Sequence, residues 1–189
     1  MSGTSAPFGF RPSYHPTGLE RAKRYNITGG YATALLKGQM VTLNTNGTVV
    51  TAAAAADFLG VLAGVEFTDA NGKPNLQPNW PAAQAILAGT QAFAWVYDDP
   101  ETVFEAQANG SIPQTAVGDQ TDVVNVSAGS SLTGLSTSGV SSTLAGAGSQ
   151  GQWKIVGFSL DPANAVGDAF TVLQLKMARQ QYTANKVAV

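Results

Sequence analysis

The chain has 189 residues, no cysteine, a charged fraction of only 12% and a formal net charge of -2. That length fits one domain, or one domain with a tail, able to bury about 70% of the surface its unfolded chain exposes. The missing cysteine excludes disulfides, thiolate metal sites and cysteine nucleophiles, and low charge with abundant glycine, serine, threonine and alanine excludes long solvated helices in favour of a turn-rich β protein.

Charge is unevenly placed. Residues 1 to 37 hold Arg11, Arg21, Lys23, Arg24 and Lys37 against Glu20 alone, whereas the remainder carries five bases against eleven acids. A basic start on an acidic body predicts a contact with an acidic surface, and nucleic acid is not the expected partner because it draws a denser, longer basic patch. No basic-then-apolar leader opens the chain and no apolar stretch reaches membrane-spanning length, so neither export by that route nor membrane insertion is expected. The N-x-S/T triplets at Asn26, Asn46, Asn109 and Asn125 read as turn chemistry.

In chain order, residues 5 to 18 hold three prolines, two phenylalanines and a tyrosine without periodicity, which excludes a regular helix. An extended N-terminal arm over residues 1 to 37 is expected, its aromatics covered by a partner or by the protein's own body. Residues 40 to 43 and 48 to 51 flank Asn44-Thr45-Asn46-Gly47, a hairpin signal. The alanine run at 52 to 56 is too short for a helix and reads as a turn. Over residues 58 to 67, alternation places Leu59, Val61, Ala63, Val65 and Phe67 on one strand face. Residues 68 to 81 read as a loop anchored by Trp80. Over residues 92 to 97, Phe93, Trp95 and Tyr97 form an aromatic stripe, read as core rather than a ligand platform.

A strand at 123 to 127 is followed by the uncharged serine- and glycine-rich stretch 128 to 151, expected to be a flexible surface loop. Residues 153 to 158 and 170 to 179 read as strands, the second turning Thr171, Leu173, Leu175 and Met177 inward, with turns at Asp161-Pro162 and Gly167-Asp168. The predicted layout is thus an arm (1–37), a β-rich domain (38–179) and a C-terminal tail (180–189). Its fold class is all-β, a barrel or sandwich.

Chemistry-bearing motifs are few. In "DDPETVFEAQANG", residues 98 to 110, Glu101 and Glu105 share a strand face but lie about 13 Å apart at strand rise, too far to hold one ion between them. Gly146-Ala147-Gly148-Ser149-Gln150-Gly151 matches G-x-G-x-x-G by letters, yet a loop precedes it and a strand follows, the wrong context for a dinucleotide site. His15 is the single histidine, and no G-x-S-x-G elbow accompanies it. No catalytic, cofactor-binding or metal-binding residues are therefore assigned, and an enzyme is not expected.

The order of segments carries more than any motif. An opening "APFGFRPSYHPTG", then "FLGVLAGVEF", "AWVYDDPETVFEAQANG", "VGDQTDVVN", a loop with "TGLSTS" and a closing "WKIVGFSLDPANAVGDAFTVLQLKMARQQY" resembles the layout of decoration, or cement, proteins of tailed-bacteriophage heads, from about Ala6 to Tyr182. The resemblance implies a β-rich, non-enzymatic virion protein on the outer capsid surface. It would tie neighbouring major capsid protein subunits together as a homo-oligomer, a trimer in preference to a dimer. Within that reading, Phe8, Phe10, Arg11, Tyr14, Arg21, Lys23 and Arg24 of the arm are the expected capsid contacts, because aromatic anchors and cations suit an extended segment crossing a subunit boundary. The rival is an adhesive or carbohydrate-binding module using Phe93, Trp95, Tyr97 or Trp80 as a stacking platform.

Overall fold

The computed structural model describes residues 3–182 and is all-β, with a single 3-10 turn at Gln114–Ala116. One six-stranded sheet runs in the order β1 (Arg11–Tyr14), β8 (Val103–Gln107), β14 (Val172–Met177), β13 (Trp153–Phe158), β9 (Gln120–Val124) and β12 (Gly139–Leu144), each neighbour antiparallel. It curls until β12 returns to the end of β8 through an Ala108–Val140 bridge. The other sheet runs β2 (Ala22–Ile27), β7 (Ala92–Tyr97), β5 (Gly60–Thr68), β3 (Met40–Leu43) and β4 (Val49–Thr51), with β6 (Pro74–Gln77) also on β5. A small hairpin of β10 (Gly129–Ser130) and β11 (Leu135–Ser136) completes the set.

The two sheets enclose two apolar cores that share β3 and the start of β5. Neighbouring residues there part to opposite sides, Met40 from Val41, Phe58 from Leu59 and Val61 from Leu62, the first of each pair entering the first core and the second the other. Strands buried on both faces explain why residues 58 to 62 are so rich in large apolar side chains. Gly60 is required at this crossing, since a Cβ there would fall 2.2 Å from the Tyr97 carbonyl oxygen.

Trp153 centres the first core. Phe10 stacks on it at 4.5 Å and 11°, Phe104 meets it edge-on at 5.5 Å, and its Nε1 donates to Met40 Sδ at 3.1 Å. Its neighbour Gln152, also fully buried, donates from Nε2 to the carbonyls of Ala53 and Ala56 and accepts at Oε1 from the amides of Ala55 and Val123. Three of those bonds satisfy backbone groups of the alanine run and hold it as a turn, and the fourth ties Gln152 to β9.

The hairpin at Asn44 to Gly47, the Trp80 anchor and the inward set Thr171, Leu173, Leu175 and Met177 are found as expected. Four expectations are corrected. First, residues 3 to 37 of the expected arm do not lie off the body: β1 pairs with β8, β2 pairs with β7, and Phe10, Leu35 and Leu36 are buried. Of its aromatics, Phe10 is covered by the protein's own core, Phe8 is half-buried and Tyr14 stays exposed. Second, residues 128 to 151 are not a free loop. They contain β10, β11 and all of β12, with Ser136, Ser138 and Val140 buried and Ser138 Oγ donating to the carbonyls of Asn125 and Val126.

Third, a bulge between Leu62 and Gly64 opposite β7 adds one residue to β5. Leu62 and Val65 therefore both reach the second core, and the single face predicted through Ala63 is broken. Fourth, β7 buries Ala92, Ala94 and Val96 and leaves Phe93, Trp95 and Tyr97 half-buried on the opposite face, where only Tyr97 packs against the first core, edge-on to Phe104. Alternation was legible there, but not which side the core lies on. Of the expected C-terminal tail, Gln180 is buried and donates from Nε2 to the carbonyls of Leu59 and Asp98. Residues 183 to 189 lie outside the described residues.

Candidate interaction surface

The seven residues expected to act together are distributed over three places. Phe10 is inside the first core. Phe8 is half-buried and carries the Arg11 guanidinium over its ring at 4.3 Å, beside a polar cavity of about 460 Å³ that Glu105 and Asp161 also line. Tyr14 closes β1 with 47% of its surface exposed, and the turn that follows presents Leu19 at 54% and then Arg21. Because β1 ends its sheet, this stretch is a free edge with two apolar side chains between two cations.

Lys23 and Arg24 lie on β2 and face opposite ways. Lys23 reaches Asp98 at 3.0 Å, where Tyr25 also donates to the same carboxylate oxygen at 2.5 Å. Asp98 is buried and its second oxygen has no partner among the described residues, so the Lys23 charge and the Tyr25 hydroxyl together offset its desolvation. Burial, then the bond to Asp98, pushes the Tyr25 phenol well above its ordinary value. Tyr97 is raised as well, by burial and then by the nearby Glu20 charge.

Arg24 points outward, 4.0 Å above the Phe93 ring and 5.5 Å from Trp95, with Glu66 at 3.6 Å. The aromatic stripe is therefore already covered in part by the protein's own guanidinium. Next to it runs a shallow apolar groove of about 840 Å³, floored by Ala63 and Gly64 and walled by Trp95 on one side and Leu76 and Pro78 on the other. Leu76 is 77% exposed, and the buried Trp95 Nε1 has no hydrogen-bond partner among the described residues. The turn into β6 is fixed by Asp69, which accepts from the amides of Asn71 and Lys73; these bonds, the Lys73 amide first, hold its carboxyl below the usual range.

The groove is not legible in the sequence, because residues 68 to 81 read as a loop where the structure forms β6. The available signal was Pro74-Asn75-Leu76-Gln77-Pro78, one leucine between two prolines in an otherwise polar stretch. The acidic run resolves into separate structural uses: Asp98 as described, Asp99 Oδ2 3.2 Å from His15 Nε2, Glu101 bonded to Lys176 at 2.6 Å, and Glu105 on the outer face of β8. Among the described residues no three His, Cys, Asp or Glu side chains are grouped as a metal site would need. Trp80, fully buried and edge-on to Phe67, is not available as a platform. Searches against family models, curated proteins and solved structures find no match for this chain.

Proposed function

We propose that the protein is a structural virion protein that binds the outside of a tailed-phage head and cements neighbouring major capsid protein subunits. The order of its segments, which resembles that of head decoration proteins, supports this reading, and so does the chemistry of its surface. The observation that carries it is the free edge of the first sheet, where Tyr14 and Leu19 stand exposed between Arg11 and Arg21. Apolar anchors flanked by cations along an edge strand and the turn after it suit an acidic protein wall, with backbone pairing, side-chain insertion and charge each contributing. A protein that engages only the assembled shell stabilises it by mass action, repeated at every equivalent position.

The contact proposed here is narrower than an arm. Phe10 serves the protein's own core, so the capsid-facing candidates of the N-terminal segment are Arg11, Tyr14 and Arg21. The adhesive or glycan-binding reading is less well supported, because Arg24 already occupies the Phe93 face and Trp80 is internal. Purified protein added to expanded heads lacking it should bind at saturable occupancy and raise their disruption temperature. Tyr14→Ala with Arg21→Glu should abolish that occupancy while leaving the far-ultraviolet circular dichroism unchanged. Wild-type protein that ignores expanded heads, or a double variant that binds them as well as wild type, refutes the reading.

A further inference from the structure

Asn-Gly pairs stand at positions 46–47, 71–72 and 109–110, each with its asparagine exposed, and the fold treats the last of them differently. In such a pair the glycine amide nitrogen can attack the asparagine carboxamide carbon, because glycine presents no Cβ to hinder the approach. The attack is favoured when the amide is not committed to a hydrogen bond and when a donor meets the carboxamide oxygen, on which charge develops.

The first two pairs lack both conditions. Gly47 donates its amide to the Asn44 carbonyl at 3.0 Å, and Gly72 donates to the Asp69 carbonyl at 2.9 Å. Each turn is tied again by a side chain, Asn44 Oδ1 accepting from the amides of Asn46 and Thr48 and Asp69 Oδ1 from those of Asn71 and Lys73. The carboxamide oxygens of Asn46 and Asn71 accept no hydrogen bond among the described residues.

Asn109 and Gly110 meet both. They follow β8 at the seam where the first sheet closes, with Ala108 bridged to Val140 and the Asn109 amide donating to the Val140 carbonyl at 2.9 Å. The Gly110 amide has no hydrogen-bond partner among the described residues. On β12, the Ser142 amide donates to Asn109 Oδ1 at 2.8 Å, which places a fixed donor on the oxygen that turns negative as Cγ becomes tetrahedral. Gly110 rests on the same serine, since a Cβ there would fall 2.6 Å from Ser142 Oγ. Ser142 therefore touches the electrophile and the residue that carries the nucleophile.

We infer that Asn109-Gly110 is a self-modifying site, converted to aspartate and isoaspartate with water as the co-reactant. The Gly110 nitrogen bonds to Asn109 Cγ and gives up its proton, while the carboxamide nitrogen takes a proton and leaves as ammonia, closing a succinimide. Water then adds to either ring carbonyl and opens the ring, one way to aspartate and the other to isoaspartate. Aspartate keeps an acceptor for the Ser142 amide and adds a negative charge. Isoaspartate carries its side-chain carbon into the backbone and lengthens the chain at the β8–β12 seam. None of this rests on head binding.

The experiment holds the intact protein in weakly alkaline buffer, folded in one arm and in guanidinium chloride in the other, and follows the three asparagines by peptide mass spectrometry. In the folded arm Asn109 should convert at least about ten-fold faster than Asn46 or Asn71, a modest share of what one oxyanion donor contributes in an enzyme. In the unfolded arm that advantage should vanish, because only the fold distinguishes the three pairs. Asn109→Gln, whose longer side chain disfavours ring closure, should abolish the product while leaving the far-ultraviolet circular dichroism unchanged. Folded protein that converts Asn46 or Asn71 as fast as Asn109, or converts none of them, overturns the inference. So does an Asn109 advantage that persists in full after unfolding, since sequence and not structure would then be its cause.

Discussion

At the scale of single residues, two side chains test how the N-terminal segment is used. Phe10 is stacked on Trp153 and only 2% exposed, so Phe10→Ala should cost about 3–5 kcal/mol by chemical denaturation, the range for emptying a large aromatic site in a core. An unchanged denaturation midpoint contradicts a folded-in segment. Tyr25 carries a phenol raised by burial and by its bond to Asp98. A raised folded-state value favours the protonated form, so this stabilisation is present in full below the unfolded value near pH ~10 and is lost as pH climbs beyond it. Melting temperature should therefore fall from about pH 10 upward, and Tyr25→Phe, which removes one such group, should make the fall shallower. Tyr97 adds a slope of the same sign.

At the scale of elements, the serine- and glycine-rich stretch divides in two. Residues 146 to 149 are exposed, carry only a local turn from the Ser149 amide to the Gly146 carbonyl, and border a surface depression. Replacing them by a two-residue turn should change stability by no more than about 0.5 kcal/mol. Residues 128 to 138 hold the β10–β11 hairpin, whose Ser136 amide donates to the Lys37 carbonyl and whose Ser136 and Ser138 are buried. Their deletion should leave several buried polar groups unpaired, at about 1–3 kcal/mol each, and a broadened or early thermal transition is the expected readout. Composition alone made the two halves look alike, because small polar residues line both mobile loops and tightly hydrogen-bonded hairpins.

At the scale of the whole molecule, the two cores share β3 and the start of β5, so neither can empty without exposing the other. Calorimetry should show a single transition with equal calorimetric and van't Hoff enthalpies; two resolved transitions mean that the cores unfold independently. What the sequence determined by itself was local and periodic: an all-β class, the Asn-Gly hairpin, the inward face of β14 and the Trp80 anchor. Pairing, burial side and partnership were left to the tertiary structure, since they depend on residues far apart in the chain. Phe93 and Trp95 of β7 lie off the second core because the apolar side of β5 meets Ala94 and Val96, a bulge at Ala63 shifts the phase of that meeting, and the opening segment becomes an edge strand because β8 offers it unpaired backbone groups.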